Sequence, residues 1–302
     1  MTMHKLASFI MAGQLQATTV VVGLAVLALV FPPLMLASGA ALMLVTARLG
    51  GGSGLTLLGL STLAAVALSQ LVSGQPWPGL LFSVLQWVPG FVLALILRVT
   101  VSLDRTLQAA VALGIGALAL LYLWGPDLTP YWREIVEGYL RPALEQAELP
   151  AETLDQTLSK VVQLMSGAVI ASMLVSHTLS LLLARWWQSL LYHPGGFREE
   201  FLGLRLGRVA AALSLLLFAG ALLSQAPAIT ALAIVGLVIF FFQGLAIVHN
   251  LSARTANPML WLIGAYVLLM LALPQMMAAL SAMGVLDNFV DIRSRLPAPP
   301  RS

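Results

Sequence analysis

From Ala17 to Met283 the chain is a succession of apolar runs, and none of them carries a charged residue in its middle. The breaks fall at Gly/Pro clusters and at arginines. They delimit candidate spans at 8–31, 33–48, 55–73, 79–98, 106–124, 161–184, 208–225, 228–248 and 258–284. A helix needs about 20 apolar residues to cross bilayer hydrocarbon, and most of these runs have that length. The second is short and separated from the first only by Pro32-Pro33. It reads as a tight hairpin partner or a re-entrant piece, so the count is eight or nine. The spans read as helices, because an open sheet edge is not tolerated in hydrocarbon and the alternating pattern of a barrel is absent. The expected fold class is all-α, a polytopic transmembrane helix bundle forming a single domain over 1–286, with a short polar tail at 287–302.

Composition agrees. The 302 residues are 60% hydrophobic and 9% charged, with a mean hydropathy of +0.95, against about 25% charged in soluble domains. Lipid is therefore the solvent for much of the chain. A net charge of +3 is too small to suggest nucleic acid. The absence of cysteine excludes disulfides, a thiolate nucleophile and Cys-ligated metal sites. After Met1-Thr-Met-His-Lys5 the first apolar run continues to Phe31 without a small-residue cleavage site, which predicts an uncleaved first helix.

Lysine and arginine in short loops set orientation. With Lys5 in the cytoplasm, alternation places Arg48, Arg98, Arg105, Arg185, Arg198, Arg205, Arg208 and Arg254 inside as well. The opposite short loops, Pro32-Pro33, Ser73–Gly79 and Ser224–Pro227, carry no charge. One feature resists: nine spans put the tail outside, although it holds Arg293, Arg295 and Arg301. The expected location is a bacterial cytoplasmic (inner) membrane, with the N-terminus inside.

The connection 125–160 differs in kind. Asp127, Glu134, Glu137, Glu145, Glu148, Glu152 and Asp155 outnumber Arg133, Arg141 and Lys160, and alternation puts the segment outside. Tyr131, Trp132, Ile135, Val136, Tyr139 and Leu140 recur at helical spacing, predicting an amphipathic helix on the outer membrane–water interface. Leu149-Pro-Ala-Glu152 then reads as a helix start. The segment is a cap over the bundle or a lid over an outward-facing cavity.

Gln70, Gln86, Ser176, His177, Ser180, Gln243 and Gln275 lie inside spans, with His249-Asn250 ending the eighth. Pro89-Gly90 interrupts span four and Pro274 span nine. Broken helices expose backbone groups that neighbouring helices or a bound ligand must satisfy. Ser176, His177 and Ser180 share a helical stripe, and Gln86 stands beside Trp87. The candidate solute-binding residues are Gln86, Trp87, His177 and Gln243; the alternative is interhelical hydrogen-bonded glue. Gly13/Ala17, Ala37/Ala41 and Ala112/Gly116 are small-residue pairs suited to close helix packing.

The densest motif is the cytoplasmic loop 185–208. Trp186 and Trp187 suit an interfacial anchor, and Pro194-Gly195-Gly196 suits a turn. A short helix from Phe197 would bring Glu200 towards Arg208, and Glu199 weakly towards Arg205. This loop pins two helices or docks a partner, with Tyr192, Pro194, Gly195, Gly196, Phe197, Arg198, Glu199 and Glu200 as the docking residues.

Leu191-Tyr-His-Pro-Gly-Gly-Phe-Arg-Glu-Glu-Phe201 with Leu204-Arg-Leu-Gly207, Phe31-Pro-Pro-Leu34 with Arg48-Leu-Gly50, and Met283-Gly-Val-Leu-Asp-Asn-Phe-Val-Asp-Ile-Arg293 together resemble the proteobacterial branch of the YybS-like family (domain of unknown function 2232). These are uncharacterised bacterial multi-span membrane proteins, and the resemblance runs over nearly the whole chain. It implies a distant similarity of fold to the substrate-binding components of energy-coupling-factor vitamin transporters, which is an analogy of fold and not of site.

Catalysis finds little in the residues. His4, His177, His193 and His249 lack metal-ligand spacing, so neither a metal nor a cofactor is expected. Glu199-Glu200 with Arg205 is displaced from the paired-glutamate pattern of intramembrane prenyl-type proteases, and Gly50–Gly54 lacks the Lys-Ser/Thr of a phosphate loop. The expectation is a non-enzymatic membrane component for a small-molecule solute, with a transmembrane or cytoplasmic protein partner. The alternative is a scaffold or assembly factor acting through 185–208, and a membrane enzyme ranks third.

Overall fold

Ten consecutive residues of one short helix, Ser38 to Ala47, are buried. The computed structural model that shows this describes residues 2–147, 150–224 and 226–295. Its elements are α1 (Met3–Ile10), α2 (Gln14–Leu27), α3 (Leu34–Leu49), α4 (Gly51–Ser73), α5 (Trp77–Phe82), a π-helical turn (Ser83–Trp87), α6 (Val88–Thr100), α7 (Leu103–Trp124), α8 (Thr129–Gln146), α9 (Ala151–Tyr192), α10 (Gly196–Gly203), α11 (Arg208–Ser224), α12 (Pro227–Ser252), α13 (Pro258–Leu271), α14 (Leu273–Val290) and a 3₁₀ turn (Ile292–Arg295). No strand occurs among the described residues. Glu148, Leu149 and Arg301 of the sequence argument lie outside them.

Among the described residues, five stretches are long and apolar enough to cross a membrane: α4, α5–α6 with the π turn between them, α7, α9 and α12. There are six if α10 and α11 count as one bent span. α2, α3 and α13 are shorter apolar helices. Two expected spans are broken. The first divides into α1 and α2, with Gly13 between them in an extended conformation. The ninth divides at Ala272, whose φ of −133° and ψ of 51° leave the helical region. The last helix also runs past the expected boundary at 286, to Val290.

The chain forms two compact units. One comprises Met1–Ala110, Val175–Leu206 and Ala246–Arg254; the other comprises Val111–Leu174, Gly207–Leu245 and Thr255–Ser302. In the first, α3 is the central helix. Its apolar character on every side suits a helix with neighbours all round. Ser38 donates to the Val21 carbonyl of α2 (2.7 Å). Gly54 of α4 faces the Thr46 side chain, where a Cβ would collide. The C-terminal end of α3 turns at Gly50, with φ at 102°. The Arg98 guanidinium of α6 donates there to the carbonyls of Ala47 (3.0 Å) and Arg48 (2.8 Å). A cation on the orphan carbonyls of a helix end satisfies them and complements the helix dipole.

α9 has 42 residues, and those up to Leu174 belong to the second unit. At 1.5 Å per residue it is about 63 Å long, roughly twice the hydrocarbon thickness. Its first turns pack against α8: Val136, Leu154, Leu158 and Val162 form a small core with Trp132 and Leu144 against it. Trp132 donates to Ser166 (2.9 Å), and Arg141 pairs with Asp155 (3.2 Å). The apolar stripe of α8 is thus covered partly by protein. Tyr131, Tyr139 and Leu140, expected on the same stripe, are exposed. Before α8, the Thr129 backbone N–H donates to Asp127 (2.9 Å) and holds that carboxyl below its ordinary range.

α11 and α12 are joined by Ser214 donating to the Gly236 carbonyl (3.0 Å). α12 and α14 meet through reciprocal glycines. A Cβ on Gly244 would collide with the Leu280 carbonyl, and one on Gly284 with the Phe240 carbonyl. By contrast Gly116, an expected packing glycine, has nothing within 4 Å of its Cβ position. Gly284→Val is expected to separate α12 from α14 and lower the midpoint of thermal unfolding in detergent, whereas Gly116→Val leaves it within error.

Candidate functional site

Pro89 has no N–H to offer the carbonyl four residues back, and its ring clashes there in a regular helix. The chain accommodates it by widening one turn. The N–H of Val88 bonds to the Ser83 carbonyl, five residues earlier, and the turn Ser83–Trp87 is π-helical. This turn carries Gln86 and Trp87 inward, 5% and 0% exposed. Trp87 Nε1 donates to Ser38 Oγ (3.0 Å), which in turn donates to Val21. Gln86 Nε2 makes a long contact to the Met35 carbonyl (3.4 Å). His177 of α9 bonds through Nε2 to the Gln86 carbonyl (3.2 Å). A carbonyl only accepts, so Nε2 carries the proton.

α3 offers Gly39 to this group. The position its Cβ would take is 3.0 Å from Gln86 Nε2 and 3.0 Å from Ser180 Oγ. The hydroxyls of Ser176 and Ser180 are buried and have no hydrogen-bond partner. The hydroxyls of Ser61 and Thr178 are likewise buried without a partner, but many others fold back on their own helix: Thr46 donates to Leu42, Thr62 to Leu58 and Thr100 to Ile96, each at 2.7–2.8 Å. That back-bonding is the ordinary solution for a helical serine or threonine. Ser176 and Ser180 do not use it. Of the four residues read from sequence as solute-binding, the structure therefore brings Gln86, Trp87 and His177 together and adds Gly39, Ser176 and Ser180.

Gln243 belongs to the other unit and to a different network. Its Nε2 donates to Asp287 Oδ2 (3.2 Å), and its Oε1 accepts from Asn288 Nδ2 (3.3 Å). Arg293 pairs with the same Asp287 oxygen (3.2 Å), and Ile292 N donates to the other (3.0 Å). Asn288 Oδ1 accepts from Gly207 N (2.8 Å), and its carbonyl accepts from Arg208 Nε (3.1 Å). Asp287 and Arg293 are 1% and 6% exposed. The sequence reading placed both in a solvated tail. The available signal was that Asp287-Asn288 follow Gly284 in unbroken helical register.

The 185–208 segment is folded back on itself. Arg185 makes a bidentate ion pair with Glu200, donating from Nε at 2.7 Å and from Nη2. The expected pairings of Glu200 with Arg208 and Glu199 with Arg205 give way to this one, and Arg205 N donates instead to Asp104 (3.0 Å). Gly195, with φ at 91°, starts α10. Gly196 lies against the His193 ring. Phe197 N donates to Ser189 Oγ (3.2 Å). Phe197 stacks on Phe201, which meets His249 edge-on. The Arg48 guanidinium lies 4.0 Å over Tyr192. Trp187, expected as an interfacial anchor, is buried. Tyr192, Pro194, Gly195, Arg198 and Glu199 are exposed.

No family model, curated protein or solved structure matches this chain. Removing one partner of a buried ion pair strands the other, at a cost of about 3–5 kcal/mol, whereas replacing both with apolar side chains is often neutral. Arg293→Met alone is accordingly expected to lower unfolding stability in detergent more than the double substitution Asp287→Leu/Arg293→Met does.

Proposed function

We propose that this chain is a multi-span protein of a bacterial cytoplasmic membrane that binds, and serves the transport of, a small-molecule solute. One observation carries the reading: a π turn ahead of Pro89, within an otherwise continuous span, brings Gln86 and Trp87 against a stretch of α9 whose hydroxyls at Ser176 and Ser180 have no protein partner. Solute sites in transporters are built this way, from interrupted helices within the bundle. The likeness to the YybS-like family and to substrate-binding components of energy-coupling-factor transporters points the same way, as an analogy.

The reading includes orientation. Lys5 and the arginine-bearing loops face the cytoplasm. The end of α14 is bonded to Gly207 and Arg208, at the start of α11. This favours a C-terminal segment on the cytoplasmic side. α13 and α14 then leave and return on one side, eight crossings remain, and Arg293, Arg295 and Arg301 obey the same rule as the other arginines.

A second reading, a scaffold working through 185–208, is favoured by the ion-paired and stacked α10 and the turn before it, where Tyr192, Pro194, Gly195, Arg198 and Glu199 are exposed. The two readings separate in one preparation. Protein purified from its native membrane in mild detergent is analysed by mass spectrometry for small molecules and proteins. A stoichiometric solute is expected; a cytoplasmic protein without any solute sinks the first reading in favour of the second.

For orientation, single cysteines replace Ser294, Gly195 and Gly74, all exposed. A membrane-impermeant maleimide is expected to label Gly74→Cys in intact cells, and the other two only after permeabilisation. Labelling of Ser294→Cys from outside overturns the shared-side topology.

A further inference from the structure

Three elements meet at Gly39, and each runs on to an arginine. Gly39 precedes Arg48 by nine residues, Gln86 precedes Arg98 by twelve, and Ser180, the α9 residue against Gly39, precedes Arg185 by five, with Ser176 one turn further off at nine. At 1.5 Å per residue these separations are about 8–18 Å. With each arginine at the cytoplasmic boundary, the group lies inside a hydrocarbon layer about 30 Å thick, between its cytoplasmic third and its middle. Water is scarce at that depth, and an unpartnered hydroxyl there loses hydration without compensation. Ser176 and Ser180 present two such hydroxyls one helical turn apart, 7% and 0% exposed.

No charge accompanies them. Residues 34–47, 83–97 and 175–184 contain no Asp, Glu, Lys or Arg. The His177 Nε2–H is taken by the Gln86 carbonyl. An ion entering here would meet no countercharge, and a bare ion in a low-dielectric medium is strongly penalised. The polar groups gathered are instead hydroxyls, which donate and accept, and a primary amide held by one long contact of 3.4 Å. Gly39 lets α3 come directly against these groups: a Cβ there would sit 3.0 Å from both Gln86 Nε2 and Ser180 Oγ.

We propose that Gly39, Gln86, Ser176 and Ser180 form a cradle within the membrane for a small uncharged molecule that both donates and accepts hydrogen bonds. The proposal rests on the solute-binding reading above and names its substrate class. Gln243 is no part of this cradle.

The cysteine-free chain permits a direct test. Ser180→Cys and, separately, Ser176→Cys are introduced, with Leu179→Cys, 38% exposed on the adjoining apolar face, as the dry control. Thiols react with methanethiosulfonates as thiolates, which form more readily among polar groups than in apolar surroundings. The probes are neutral methyl methanethiosulfonate and its trimethylammonium-ethyl and sulfonato-ethyl counterparts. The neutral probe is expected to modify the Ser180→Cys or Ser176→Cys protein about tenfold or more faster than either charged probe does, and faster than it modifies the Leu179→Cys control. Adding Gly39→Ala to the Ser180→Cys protein is expected to slow the reaction.

Equal rates with a charged probe overturn the uncharged class. Rates no faster than in the Leu179→Cys control overturn the cradle and make the hydroxyls packing groups. The parent reading fails separately. A reactive thiol in the Ser180→Cys variant of a protein that retains no native solute leaves the cradle and removes the solute-binding role. A retained solute together with an inert thiol in that variant moves the solute elsewhere and overturns the cradle.

Discussion

Hydrocarbon offers no hydrogen-bond partners, so every polar group taken into it must find one within the chain. That constraint explains most of the specific contacts. Arg98 serves the carbonyls at the end of α3. Ser38 links Trp87 to Val21, so that one hydroxyl both accepts and donates across three helices. The π turn takes up the backbone defect created by Pro89. Where small residues allow helices to touch, as at Gly244 and Gly284, close approach takes over from polar contacts.

Against this background the two buried polar groups are opposites. Around Asp287 each carboxylate oxygen has a donor, and Gln243 uses both ends of its amide on consecutive residues of α14. Such a network fixes the end of a helix. Around Gly39 the serine hydroxyls are unmatched, and the surrounding backbone is irregular. The charged group is thus the better satisfied of the two, whereas an ionisable residue inside a membrane more often marks a functional site.

The helical class was legible because unbroken apolar runs leave lipid-facing helices as the reading that fits. The gathering of Gln86, Trp87 and His177 was legible because Pro89-Gly90 marks an irregularity and polar residues beside one have few other uses. Gln243 was misplaced because its identity says nothing about which helix it faces; that depends on the Gly244–Leu280 contact, which is tertiary. Asp287 and Arg293 were read as solvated because charge normally ends a span, and their mutual neutralisation depends on the left-handed turn at Asp291 (φ 49°). Glu200 paired with Arg185 rather than Arg208 for a similar reason: the turn at Gly195 folds α10 back towards α9. The length of α9 was missed because its first ten residues carry Glu152, Asp155 and Lys160 and read as loop until α8 is seen to pack on its first turns.

The arginine that completes the end of α3 comes late in the chain, and this has a consequence for synthesis. The carbonyls of Ala47 and Arg48 receive their donor from a side chain about 50 positions later in the sequence. At roughly 5–20 residues per second the ribosome reaches that donor seconds after α3 has emerged. Throughout that interval α3 is a short helix with an open C-terminal end and none of α6 against it. Its completion is set by the order of translation: the central helix of the first unit is among the earliest made and can be finished only after α4 and the π turn have followed it into the bilayer.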